Sequence, residues 1–293
     1  MQNKDIPHIV FNAQKQDNSG IEILTIESLA KRKNEADHNP EKAHQVAFNM
    51  IVYYTEGESK HLVDFVWHEV KPNTIIHLSK GQINAFQFNE GLKGFIILFT
   101  DIYLKKQINL LPKNELIRLF NAHLFLPIIK VPKDSNVSKY IQLFYEEYSN
   151  NEEDYNIENT YNSLYSIIFS KLERLKQYQT FHLKKSDKLN IFLEFKSQLE
   201  NNFTKSRNAD FYADKLNITY KHLNIICKDT VAITAKQFID EFVVLEAKRL
   251  LINSQIKSTE LAYSLGFDEP TNFVKYFKKH TGFTPNTFKK DYI

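Results

Sequence analysis

Cysteine is all but missing from this chain: one thiol, Cys227, among 293 residues. A lone cysteine excludes an intrachain disulfide framework, so packing must hold the fold, and the chain suits a reducing compartment. Glycine is scarce as well, at 7, beside abundant Asn, Lys, Ile, Phe and Tyr, a bias that reflects AT-rich coding sequence rather than function. No uninterrupted apolar run could span a bilayer, and the opening MQNKDIPHIVFNAQKQDNSG has no apolar core of signal-peptide length. A soluble, cytoplasmic protein without membrane association is expected. Strong charge of one sign is also lacking: the net is +3, so a nucleic-acid partner must be argued from local charge. Nor does any nucleophile–base set, phosphate loop or carboxylate pair stand out, which leaves catalysis without a candidate.

What is present is enough apolar material for two or three domains, 42% hydrophobic and 13% aromatic. Up to about residue 100 the pattern is of short strands at 21–29, 46–54, 62–70, 74–78, 83–88 and 94–99. They are rich in β-branched and aromatic residues and are separated by polar turns such as 55–60, 71–73 and 89–92. Such spacing predicts a sandwich or small barrel, with an exposed loop at 31–43. From Ser135 the period turns helical. Val137, Ile141, Phe144 and Tyr148 form one stripe, 150–154 interrupts it, and Ile157, Tyr161, Leu164, Ile168, Leu172 and Leu175 form another. The second stripe approaches a heptad seam. Tyr161, Leu164, Ile168, Leu172 and Leu175 either pack on their own barrel or form a dimer contact, and the dimer is the sharper expectation. The predicted layout is α+β: a β-barrel domain at 1–130, a helical dimerisation segment at 131–180, a linker at 181–188 and an all-α domain at 189–293.

The most informative stretch is GFDEPTNFVKYFKKHTGFTP, residues 266–285. Gly266 suits the left-handed end of a preceding helix, Thr271 or Asp268 can cap the next, and Pro270 suits its first position. Phe273 and Phe277, four apart, share a buried face. Gly282 closes the helix and Pro285 stops it. From 270 to 290 there are five lysines (275, 278, 279, 289 and 290) and no acid, which makes this a helix-turn-helix with a basic reading helix. A weaker copy lies at 210–228, and a long helix over 234–253, with Phe238, Phe242, Leu245, Leu250 and Leu251 inward, joins the two.

On these residues the chain resembles the AraC/XylS family of bacterial transcription regulators. The likeness rests on Ala213, Leu216, Thr219, Leu223 and Lys228, then Ala247, Leu250 and Leu251. In the second unit it rests on Glu260, Leu261, Ala262, Gly266, Phe267, Asp268, Phe273, Phe277, Lys278, Gly282, Thr284 and Pro285. It covers residues 189–293, strongest in the second unit. The N-terminal half resembles the family's cupin-like effector domain more loosely, through 54–60 and 64–84. This chain departs at Ile225 and Val243, where the family usually has arginine, at Cys227, where it has an aromatic, and at Ser258, where a larger apolar residue is common and where serine can cap its helix. The first unit is therefore expected to contact bases less than its counterparts do.

The resemblance implies a sequence-specific regulator, an activator, with double-stranded DNA and RNA polymerase as partners, a homodimer, and a small-molecule effector. A helix fits the major groove, where side chains read base edges and lysines neutralise phosphates. The candidate contacts of the second unit are Pro270, Thr271, Asn272, Lys275, Tyr276, Lys278 and Lys279. Those of the first are Thr219, Tyr220, Lys221, His222 and Asn224. Two such units should meet one face of the duplex a helical turn apart, roughly 34 Å. Phe48, Met50, Val52, Phe65, Trp67, Ile76 and Phe88 line either a solid core or a cavity, with His44, Phe48, Phe65, Trp67, His77 and Phe88 as the candidate effector pocket. Three histidines, His44, His68 and His77, raise the question of metal. The cupin His-x-His pair followed by Glu is absent, Asn84 stands where a cupin histidine would, and His68 and Glu69 point to opposite faces. Neither a metal nor a cofactor is expected. Cys227, on the inner face of its helix, is read as a small hydrophobe rather than a redox sensor. Two other readings stay open: a metal-dependent cupin enzyme fused to a DNA-binding domain, and a regulator that needs no effector.

Overall fold

The computed structural model describes residues 8–10, 20–31, 39–108, 127–150, 156–179, 187–253 and 256–292. The expected loop at 31–43, the interruption at 150–154 and the linker at 181–188 fall largely outside them. The chain forms two compact units, Pro7–Phe181 and His182–Ile293.

In the first unit two five-stranded sheets face each other. One runs β10 (Ile128–Lys130), β7 (Thr74–Leu78), β4 (Asn49–Glu56), β9 (Lys93–Phe99), β2 (Ile21–Thr25), antiparallel throughout. The other runs β1 (His8–Ile9), β3 (His44–Val46), β8 (Ile83–Phe86), β5 (Ser59–Val63), β6 (Val66–Val70), antiparallel but for the β1–β3 pair. Among the described residues no ladder joins them. The expected barrel is an open sandwich.

Strand β4 shows why its sequence is apolar without alternation. Met50, Val52 and Tyr54 point into the space between the sheets, beside Val46, Val63, Ile76 and Phe86. Ile51 and Tyr53 point the other way, into a core shared with α3 (Val137–Asn150) and α4 (Ile157–Gln179). A strand covered on both faces needs apolar residues at every position. Tyr161, Leu164, Ile168 and Leu172 are buried in that same core, and Leu175 packs against it. This corrects the dimer seam: the sheet of their own unit already occupies it. It also corrects the separate helical segment at 131–180, because α3 and α4 are a layer of the first unit.

Two predicted strands break. The run 21–29 ends at Thr25, whose hydroxyl oxygen accepts from Ser28 N–H at 3.1 Å and caps α1 (Ile26–Lys31). The run 62–70 is a hairpin that turns at Asp64 and Phe65, both with positive φ (43° and 72°), and pairs Val63 with Val66. The Asp64 carboxylate secures that turn, accepting from Gln82 Nε2 at 2.6 Å and Ile83 N at 3.2 Å. A short helix, α2 (Asp101–Ile108), follows β9.

The second unit is helical: α5 (Asp187–Asn202), α6 (Ala209–Lys215), α7 (Tyr220–Val231), α8 (Ala235–Asn253), α9 (Ser258–Ser264), α10 (Pro270–Thr281) and α11 (Pro285–Tyr292). Its core gathers Leu189, Phe192, Phe195 and Leu199 of α5 with Phe238, Phe242 and Leu251 of α8, all buried. Phe192 and Phe195 meet Phe238 at ring separations of 5.0 and 5.7 Å. The expected inward residues Leu245 and Leu250 are only half-buried, while Ile239, Val243, Ala247 and Ile252 are fully covered. A helix enclosed on most sides is apolar on most sides, and Val243 is apolar for that reason.

Candidate nucleic-acid interface

Helices α6–α7 and α9–α10 are two copies of one motif. In the first turn Asn217 N–H bonds Asp214 O (3.1 Å) and Ile218 N–H bonds Ala213 O (3.0 Å); in the second Gly266 N–H bonds Tyr263 O and Phe267 N–H bonds Ala262 O, both at 2.9 Å. The reading helices α7 and α10 start from Thr219 and Glu269 and end at the left-handed Ala232 and Gly282, a constant offset of fifty positions. Gly266 has φ 76°, and a Cβ there would stand 1.7 Å from the Thr204 carbonyl oxygen. Both its conformation and its surroundings therefore exclude a side chain.

Capping differs from expectation. Glu269 holds the N-cap position of α10 without a side-chain cap bond, Pro270 begins the helix as predicted, and the Thr271 hydroxyl donates to the Glu269 carboxylate at 3.1 Å. Neither Thr271 nor Asp268 caps it. Ser258 is the first residue of α9 and caps nothing; Lys257 precedes it without a cap bond. Gly282 closes α10 as expected, and Pro285 lies beyond its end. It opens α11, where the Thr284 hydroxyl oxygen accepts from Thr287 N–H at 3.2 Å, the N1 placement proline favours.

On α10, Thr271, Asn272, Lys275, Lys278 and Lys279 are exposed, with Pro270 half-covered at their head. Tyr276 turns inward instead. Its hydroxyl donates to Asp240 of α8 at 2.7 Å, and its ring packs on Phe267 (5.3 Å) and His280 (4.6 Å). Burial and the Asp240 carboxylate both hold its hydroxyl protonated, with the pKa well above the usual phenol value. Tyr276 thus fastens the reading helix to α8 rather than presenting it. On α7, Tyr220, Lys221 and His222 are exposed. The Thr219 hydroxyl oxygen caps the helix, accepting from His222 N–H at 3.1 Å. Asn224 is also committed, its amide oxygen accepting from Ala235 N–H at the start of α8 (2.9 Å). Thr234 and Gln237 close a capping box at the same helix end. Cys227 is buried where α10 has Phe277, and burial pushes its thiol up to about 12, the inert form expected of a core cysteine.

Two positioning residues escaped the sequence reading. Arg207 donates to Leu265 O at 3.1 Å and lies 3.7 Å over the Phe267 ring, tying the loop before α6 to the turn of the second motif. Asp240 receives Tyr276 and pairs with Lys236. The one sequence signal for Asp240 is its i,i+4 spacing from Lys236, which reads equally well as a surface pair.

In the first unit the candidate pocket residues do not converge. Phe48 is in the inter-sheet core and Phe88 stacks on Phe86 at 5.4 Å. Phe65 sits in the hairpin turn, and Trp67 is 49% exposed on the edge strand β6. His77 alternates with Ile76 and Leu78, so it lies on the sheet face away from the inter-sheet space; its Nδ1 bonds Pro127 O at 3.0 Å. The inter-sheet space instead holds His44, Asn84, His61 and Tyr54, a polar row with only His44 anticipated. His44 Nδ1 donates to Lys42 O (2.9 Å), which leaves Nε2 to accept from the Asn84 amide at 3.0 Å. Tyr54 donates to His61 Nδ1 at 2.6 Å. His61 Nε2 and Asn84 Oδ1 then make no well-formed hydrogen bond, although the Asn84 side chain offsets part of the burial that lowers His61 to about 3. Among the described residues no three His, Cys, Asp or Glu side chains could hold a metal ion, and no helix is long and apolar enough to cross a membrane.

Residues 212–291 match the helix-turn-helix domain family. Over 105 residues the chain is 24% identical to the HTH-type transcriptional activator RhaS of Escherichia coli (strain K12 / DH10B), covering 36% of this chain and 37% of RhaS. The chain thus matches little more than a third of the length of these curated relatives. Among solved structures it is similar to ToxT from Vibrio cholerae O395, at 12% identity and a TM-score of 0.48 over 93% of this chain and 98% of that one. It is also similar to the C-terminal domain of the two-component response regulator yesN from Fusobacterium nucleatum subsp. nucleatum ATCC 25586. There the identity is 25% and the TM-score 0.32, over 34% of this chain and 98% of that one.

Proposed function

We propose that this chain, whose C-terminal region is an AraC-type helix-turn-helix domain, regulates transcription by binding double-stranded DNA at specific sequences. The observation that carries the reading is the pair of copied motifs fastened to α8, with Asn272, Lys275, Lys278 and Lys279 exposed on one reading helix and Tyr220, Lys221 and His222 on the other. Asn pairs bidentately with adenine and Lys with guanine. Lys278, Lys279, Lys289 and Lys290 serve the phosphates, which sets affinity and salt dependence. Activation, and with it a contact to RNA polymerase in the cytoplasm, is supported by similarity to RhaS, described as a transcriptional activator.

The first unit supplies regulation in this reading. Its polar row, with the unmatched donor of His61 and acceptor of Asn84, is where a small effector bearing a hydroxyl would find partners. A homodimer is part of the proposal, through a surface other than the buried stripe of α4. The test is selection of duplexes from a random library by the full chain, followed by footprinting. A two-part site with its halves about one helical turn apart is the expected outcome; recovery of no preferred duplex would refute the reading. Thermal-shift screening tests the effector, since a ligand at a hundred times its dissociation constant adds about 2.7 kcal/mol.

A further inference from the structure

The fifty-position offset between the reading helices places Ile225 in register with Lys275. Lys275 stands in the middle of the exposed face of α10; Ile225 holds the same place on α7 and is 43% exposed. The inward side of α7 is filled by Leu223, Ile226 and Cys227, all fully buried. A β-branched residue in an exposed helical position is a poorer helix former than lysine or arginine. Around it the surface is polar: Lys221 and His222 one turn before and Lys228 and Asp229 one turn after, all exposed. Its neighbour Asn224 is spent on capping α8. An isoleucine thus occupies the centre of a polar face, at the position the sister helix gives to a base-reading candidate.

The major groove displays one apolar group, the C5 methyl of thymine, and apolar side chains read it by contact. We infer that Ile225 is a specificity-determining residue that selects thymine in the half-site facing α7. The inference rests on the DNA-binding reading and deepens it. It gives the first unit a base contact of a kind that needs neither hydrogen bond nor charge.

The experiment uses the full chain and its library-selected duplex. Each thymine in the half-site protected by the first unit is replaced, one at a time, by deoxyuridine, which keeps the base-pairing edge and removes the methyl. Wild type should lose about four-fold in affinity at one position, the effect of uncovering one buried methyl group, and little elsewhere. The variant Ile225→Ala, which disturbs no buried residue and is checked for an unchanged melting temperature, should bind both duplexes alike at that position. It should keep the wild-type response to substitutions in the other half-site. Equal penalties in wild type and Ile225→Ala at every thymine, or a selected half-site without thymine, would overturn the inference and leave DNA binding intact. Failure to select any duplex would overturn both.

Discussion

Lys275 and Tyr276 are adjacent on α10, yet one faces solvent and the other is fastened to Asp240. Their substitutions should therefore separate. Lys275→Ala should cost roughly 1–3 kcal/mol of specific binding and relax preference at one base pair. Tyr276→Phe should leave preference unchanged and lower folding stability by about 1 kcal/mol, the net worth of a hydrogen bond. Duplex selection repeated with each variant, alongside denaturant melts, checks both; altered preference in Tyr276→Phe would return it to the reading face. A second residue-scale effect belongs to His61. Its unfolded value of 6.5 falls to about 3 on burial, with His44 and His68 adding repulsion against a proton. The unfolded chain therefore takes up a proton that the folded chain refuses. The stability tied to a neutral His61 is complete above pH 6.5 and is lost as pH falls through the window down to about 3. Urea midpoints should decline between neutral pH and about pH 5, and less steeply in His61→Gln. Parallel declines in the two proteins would assign the effect to other groups.

At the scale of elements, the second helix-turn-helix depends on a residue without a side chain. Gly266→Ala would drive a Cβ to within 1.7 Å of the Thr204 carbonyl oxygen at a positive φ. The turn must then open, at a cost above the 1 kcal/mol of the conformational penalty alone. Loss of sequence preference with helicity largely kept is the expected result, read by circular dichroism and duplex selection. This turn was legible in advance because glycine, proline and the two phenylalanines state their conformations locally. The hairpin at Asp64–Phe65 was not, since a two-residue turn normally announces itself by Asn-Gly or Asp-Gly, and here an aspartate held by Gln82 and Ile83 does that work. The stripe Tyr161, Leu164, Ile168, Leu172 was read correctly as apolar, with its own barrel and a second copy both offered as neighbours, and its own sheet covers it. Periodicity reports that a face is buried and is silent on what buries it. In the same way Tyr276 and Asn224 looked like outward polar residues because their partners, Asp240 and Ala235, are distant in sequence.

At the scale of the whole molecule, the modest net charge of +3 conceals its placement: lysines 275, 278, 279, 289 and 290 all fall in the last two helices. Binding should be strongly salt-dependent despite that net charge. The first unit has a sheet covered on both faces, and the unmatched His61 Nε2 and Asn84 Oδ1 lie between the sheets. The two readers, meanwhile, share an anchor. Asn224 holds α7 to Ala235, and Tyr276 holds α10 to Asp240, both within the opening residues of α8. Their separation is set by a few residues of one helix and has no hinge in it. The pair therefore acts as a fixed gauge. One extra base pair between the half-sites turns the second groove away by about 36°. The protein cannot follow that turn, so affinity should fall towards that of a single reader unless the intervening steps are soft enough to untwist. Binding to a series of sites with lengthened spacers measures it, and an even response to spacer length would mean that the gauge bends after all.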